Sequence, residues 1–188
     1  MKILSTLLVI GIILSCVDAK AAERCSLGED VPERVRFQGI AVVVFLEPQC
    51  FGVYENGQLS SRYLKRELFG LVSTGRLGYE TPTTDPDKGP QRVNRRSADH
   101  VSNEFALRVD GVLQEAPMPF AQFIDEEGRA LHAGYVREKF ASHGCIRLPI
   151  RAAEALFYGF EQQSLQVIVV WNRGDFVSLW EEGHFGPK

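Results

Sequence analysis

The apolar and polar positions along the chain fall into three regimes. The first is MKILSTLLVIGIILSCVDAKAA, where Lys2 precedes an apolar run from Ile3 to Leu14. The second, Ser26 to Arg36, is charged and reads as a linker or N-terminal arm. From Phe37 onward the pattern is that of β-strands. GIAVVVFLEP is continuously apolar and rich in β-branched residues, which predicts a mostly buried strand ended by Pro48. CFGVYENGQLSSRYL carries Asn56-Gly57 between two short runs, a strong hairpin signal because both central residues of a type I′ turn need positive φ. LFGLVSTG predicts another strand, stopped by Gly75. NEFALRVDGVLQ alternates as strand, turn and strand about Asp110-Gly111, and MPFAQFIDEEGRALHAG as two short strands about Glu127-Gly128. In PIRAAEALFYGF the residues Ile150, Ala153, Leu156, Phe157 and Phe160 fall on one helical face, with Pro149 suited to the first turn. LQVIVVW predicts a last buried strand.

Between these elements, Arg76 to Asp99 is rich in Gly, Pro, Thr, Asp and Arg and reads as a long surface loop. Loops that long inside a domain are often functional, and this one, taken as 75–103, is expected to border a substrate groove. The tail from Gly174 is aromatic but unperiodic. The pattern therefore predicts a mainly β domain with one substantial helix, built as a curled antiparallel sheet or sandwich. The expected boundaries are a leader at 1–21, an arm at 22–36, the domain at 37–173 and a tail at 174–188.

Composition narrows the possibilities. With 188 residues, 45% hydrophobic, 24% charged and a net charge of −3, the chain suits one core and carries no basic footprint for nucleic acid. The leader is shorter than the ~18 apolar residues a spanning helix needs. Ala19-Lys20-Ala21 fits a signal-peptidase site, and Ile13-Leu14-Ser15-Cys16 loosely fits a lipobox that would attach the protein to a membrane through a lipid on Cys16. Either implies export to the periplasm or cell envelope. Cut after Ala21, the chain keeps Cys25, Cys50 and Cys145. An odd number in an oxidising compartment suggests one bridge, for which Cys25 and Cys50 are the candidates, and one free thiol.

Cys145 lies in ASHGCIRLP, with His143 two residues before it and His132 upstream in ALHAG. Four roles are open to it: nucleophile, metal ligand with His132 and His143, half of a disulfide, or a small buried residue. Either imidazole could take the thiol proton. Gly144 permits a sharp bend and lets the Gly144 and Cys145 N–H groups converge on a developing oxyanion. Lowering a thiol pKa from about 8.5 to about 6 raises the thiolate fraction about thirtyfold at neutral pH. Most of that gain is cancelled by the weaker nucleophilicity of the less basic sulfur. One oxyanion donor is worth about 10²–10³ in rate, so placement outweighs acidity.

SHGCIRLP after a strand ending in LHAG resembles the active-site signature of the L,D-transpeptidase catalytic domain, the YkuD-like family. FGVYENGQL, VSTG, the Thr-Pro pair, MPF, the LPIRAAEALF helix and VIVVW resemble the rest of that domain, from about Gly39 to Trp171. Departures are Thr84, where the TP loop usually has glycine, Ala133 after the first histidine, and the enlarged loop. The resemblance implies an L,D-transpeptidase type of fold, with Cys145 as nucleophile and His132 as base, held by a backbone carbonyl of the following segment. It implies oxyanion donors at Gly144 and Cys145, with Ser142 and His143 shaping the turn. Arg147 would brace the site or meet a substrate carboxylate.

The implied reaction is attack on a peptidoglycan stem tetrapeptide, loss of D-alanine, and transfer of the acyl group to another stem in a 3→3 cross-link. Water as acceptor would give an L,D-carboxypeptidase, and an amine on a lipoprotein would give wall anchoring. The alternative of another class is a non-catalytic peptidoglycan-binding domain. No metal or organic cofactor is implied. His100 reads as a surface residue, His184 carries no argument, and Glu126-Glu127 reads as a solvated turn.

Overall fold

In the computed structural model the described residues are Cys25, 39–60, 68–110, 112–137, 139–161 and 165–181. The leader with Cys16, most of the arm, and His184 lie outside them. In chain order the strands are β1 (Ile40–Phe45), β2 (Cys50–Glu55), β3 (Gln58–Leu59), β4 (Phe69–Leu71), β5 (Gln91–Arg92), β6 (Arg95–Val109), β7 (Val112–Phe123), β8 (Ala130–Ala133), β9 (Ile146–Leu148) and β10 (Leu165–Val170). The helices are α1 (Ile150–Gly159) and α2 (Arg173–Glu181).

One sheet runs β3-β2-β1-β10-β5, with β4 also on β2; the second runs β6-β7-β8-β9. The continuous apolar run of β1 is explained by burial on both faces. Val42 and Val44 face a core shared with Val167 and Val169, the second sheet's Leu131, Ile146 and Leu148, and Ala152, Ala153 and Leu156 of α1. Ala41, Val43 and Phe45 face a separate cluster with Ile168, Val170, Cys25, Cys50 and Phe176 of α2. The Asn56-Gly57 hairpin forms, with φ of 49° and 80° at its two central residues.

The mainly β class holds, and several details differ from the sequence reading. The sheets are mixed: β1 pairs parallel with β10, and β8 parallel with β9. Alternation in sequence marks a strand but does not select its partner, and both parallel partners are distant or joined by a return segment. There is a second helix, in the segment read as an unperiodic tail; its Phe176 packs edge-on against Phe45 with ring centroids 6.0 Å apart. The loop expected through Asn103 ends at Asn94, because Arg95 onward is β6, paired with one continuous β7 in place of two short strands. On α1 the buried face is Ala152, Ala153 and Leu156; Ile150 is exposed, and Pro149 is the N-cap residue, one position before the first turn.

Candidate active site

The site grows from the parallel junction of β8 and β9. Register pairs Leu131 with Ile146 and His132 with Arg147. Leu131, Ile146 and Leu148 fill the main core. Period-two alternation therefore puts Ala130, His132, Cys145 and Arg147 on the opposite face. There Cys145 packs against the small cluster of Met118, Ala121, Phe123 and Ala130. Cys145, the residue just before β9, thus shares a face of the second sheet with His132.

His132 is buried, and its Nδ1–H donates to the Ala133 carbonyl at 2.8 Å. A carbonyl can only accept, so the tautomer is set and Nε2 is left as the basic nitrogen. Burial pushes the imidazole down to about 4, and the positive charge of Arg147 and the neighbouring His100 act in the same direction. Cys145 is a free, partly buried thiol. Burial pushes its pKa up; a backbone hydrogen bond at Ala130 and the charges of Arg147 and Arg129 oppose this, and Asp125 adds to it. The resting pair at neutral pH is thus thiol and neutral imidazole.

The turn that delivers the sulfur is held from several directions. Gly144 has φ +100°, and a Cβ there would lie 3.2 Å from Arg129 Cδ, so the position requires glycine. Ser142 Oγ donates to the Cys145 carbonyl at 2.5 Å. The Thr74 carbonyl accepts from the N–H groups of Ala141 and Ser142 at 2.8 and 2.9 Å. Thr74 is gripped by Gln49, whose Nε2 donates to Thr74 Oγ1 at 2.7 Å while its Oε1 accepts from Thr74 N at 3.0 Å. Thr81 Oγ accepts from Gly75 N and donates to the Gly144 carbonyl, both at 2.8 Å. Arg147 is bonded through its backbone to Ser73 in both directions, at 2.9 and 3.1 Å.

His143 turns the other way. Its Nε2 accepts from Arg76 Nη2 at 2.7 Å, and its ring meets Tyr79 edge-on with centroids 4.8 Å apart. His132, His143 and Cys145 therefore do not gather as a zinc set. Among the described residues no group of three or more His, Cys, Asp or Glu is placed to hold a metal ion. The Arg147 side chain is half-buried, with its stem against Gly134. Burial lowers its pKa, the negative charge of an ionised Cys145 would raise it, and neighbouring Arg137 lowers it further. Cys25 and Cys50 form a disulfide.

The sequence reading missed several contributors. Gln49, Thr74, Thr81 and Arg129 act through tertiary contacts that no local pattern marks. His100, read as a surface residue, lies on β6 with its ring 5.0 Å from Phe123, close enough to act on His132. Arg129 is clamped to Asp125 Oδ2 at 2.5 Å and to Glu127 Oε2 at 2.8 Å, so Glu127 has a partner within the turn. The first part of the long loop, Gly75 to Thr81, lies against the Cys145 turn. Thr84, in the place of the usual glycine, docks on β10: its Oγ accepts from Val169 N and its N–H donates to Val169 O, both at 2.8 Å.

Comparison with known proteins agrees with this architecture. The family model described as "YkuD: L,D-transpeptidase catalytic domain" matches residues 39–169. The chain belongs to that family. Among solved structures it is similar to an L,D-transpeptidase from Stackebrandtia nassauensis, with TM-score 0.56 and 22% identity over 80% of this chain and 60% of that one. It is also similar to L,D-transpeptidase 3 from Mycobacterium tuberculosis in complex with a faropenem-derived adduct, with TM-score 0.55 and 20% identity over 70% of this chain and 60% of that one. A third is the Enterococcus faecium L,D-transpeptidase, with TM-score 0.53, 21% identity, and coverage of 71% and 50%. The chain thus spans about 60% of the length of the first of these structures. No curated protein sequence matches it.

Proposed function

We propose that the protein is an exported cysteine L,D-transpeptidase acting on peptidoglycan stem tetrapeptides. The observation that carries this reading is the shared face of Cys145 and His132 across β8 and β9, with Nδ1 of His132 committed to the Ala133 carbonyl. His132 Nε2 takes the thiol proton as sulfur attacks the carbonyl on the L-centre of the third stem residue. The Gly144 and Cys145 N–H groups receive the oxyanion. Collapse breaks the C–N bond, and His132 returns the proton to the departing D-alanine amine. The thioester is then attacked by an amine of a second stem, giving a 3→3 cross-link and restoring the thiol. Arg147 braces the turn through its paired bonds to Ser73, and its charge, which acts on both His132 and Cys145, would meet a substrate carboxylate.

The Cys25–Cys50 disulfide supports export, since such bonds persist in oxidising compartments. The test is incubation of the purified protein with disaccharide-tetrapeptide, with product masses followed. A cross-linked dimer is expected, and a lone tripeptide would assign the enzyme to hydrolysis instead. Equal D-alanine release by wild type and Cys145→Ala would overturn the cysteine mechanism and leave a binding domain as the reading.

A further inference from the structure

We infer that Thr81 is a positioning residue for the oxyanion site, acting through the peptide unit between Gly144 and Cys145. The inference rests on the proposal that Cys145 is acylated and that its N–H receives the oxyanion. Thr81 is buried, 4% exposed, at the end of the tight 75–81 loop. Its hydroxyl can donate only one proton, and that proton goes to the Gly144 carbonyl at 2.8 Å. The oxygen is oriented for this by accepting Gly75 N–H at 2.8 Å. Gly75 admits no side chain, because the backbone packs so closely that a Cβ there would fall 2.0 Å from the Tyr79 carbonyl oxygen. Loop backbone, hydroxyl and Gly144 carbonyl therefore form one fixed line.

The Gly144 carbonyl belongs to the same planar unit as the Cys145 N–H. In a trans peptide the two point in opposite directions. Anchoring the oxygen on Thr81 thus aims the N–H away from the loop. No hydrogen bond joins that N–H to another described residue. Gly144 sits at φ +100°, and the turn's other side-chain anchor, Ser142 Oγ, holds the following carbonyl, that of Cys145, rather than this one. A hydrogen bond received at the carbonyl also polarises the N–H of the same unit, so the donor is strengthened as well as aimed. The hydroxyl does not touch substrate. Its role separates steps that need an oxyanion donor from those that do not.

That separation supplies the test. A penem-class β-lactam or the tetrapeptide acylates Cys145 through a tetrahedral oxyanion, whereas iodoacetamide alkylates sulfur by direct displacement without one. Thr81→Val keeps the shape and removes the donor. Its acylation rate is expected to fall about 10–100-fold, short of complete donor loss, with iodoacetamide alkylation within about twofold of wild type. Thr81→Ser restores most of the acylation rate, and Thr81→Ala repeats the split if the valine variant fails to fold. Unchanged acylation, or an equal fall in both reactions, overturns the inference. Acylation that persists in Cys145→Ala would instead overturn the underlying mechanism, so the two failures are distinguishable.

Discussion

Cys50 and Cys145 are the same residue in opposite settings. Cys50 is fully buried at the start of β2, joined to Cys25, among Phe45, Tyr54, Ile168 and Phe176. Cys145 is partly exposed, reduced, and surrounded by a lattice of backbone bonds from Thr74, Ser142 and Thr81. The first setting uses sulfur to restrict the unfolded chain. The second leaves the sulfur reduced, with a backbone hydrogen bond at Ala130. Both follow a positive-φ residue, Gln49 at 53° and Gly144 at 100°; what distinguishes them is that Cys50 is fully buried and bridged to Cys25, while Cys145 is reduced and partly exposed. Thiol acidity does not single out Cys145, since burial raises its pKa.

Removing each sulfur should break this contrast most clearly. Cys145→Ala is expected to lower D-alanine release by more than about 10³-fold, with the melting temperature nearly unchanged. Cys25→Ser with Cys50→Ser should do the reverse. The bridge closes a separation of 25 residues, so its loss is expected to cost about 3 kcal/mol in denaturant unfolding, with turnover retained in the folded fraction. Large activity loss in both variants at equal folded fraction would erase the distinction.

Titration sharpens it further. His132 binds its proton at about 4 when folded and at an ordinary 6.5 when unfolded. Between those values the unfolded chain holds the extra proton, so stability falls as pH drops through the window, by ~3 kcal/mol in all. His132→Gln should flatten that part of the stability curve. The same burial predicts that Cys145 alkylation keeps rising through the thiol's ordinary value of 9.0 rather than levelling below it. The smallest effect is expected at the rim. Arg76→Gln removes the hydrogen bond to His143, a change of about 0.5–1.5 kcal/mol, or roughly two- to tenfold in acylation.

The candidate residues Cys145 and His132 could be picked out from sequence because they sit in one short motif and one strand end. Asn56-Gly57, the apolar run of β1 and the helix after Pro149 were legible for the same local reason. Gln49 was not: it lies in a turn at φ 53°, and its importance comes from Thr74, 25 residues later. Thr81 was visible only as half of a Thr-Pro pair, with no sign that its hydroxyl reaches Gly144, 63 residues away. The parallel pairings and the packing of Phe176 likewise depend on partners far along the chain. α2 escaped notice because it is weakly amphipathic, and one aromatic ring anchors it to the sheet.

The order of layers in the molecule has a directional consequence. Cys25 sits on the outer side of the first sheet, while Cys145 opens beyond the second. A lipid or linker attached upstream of Cys25 would therefore pull on the back of the protein. Cys145, on the far face of the second sheet, would then lie on the side of the protein away from that attachment.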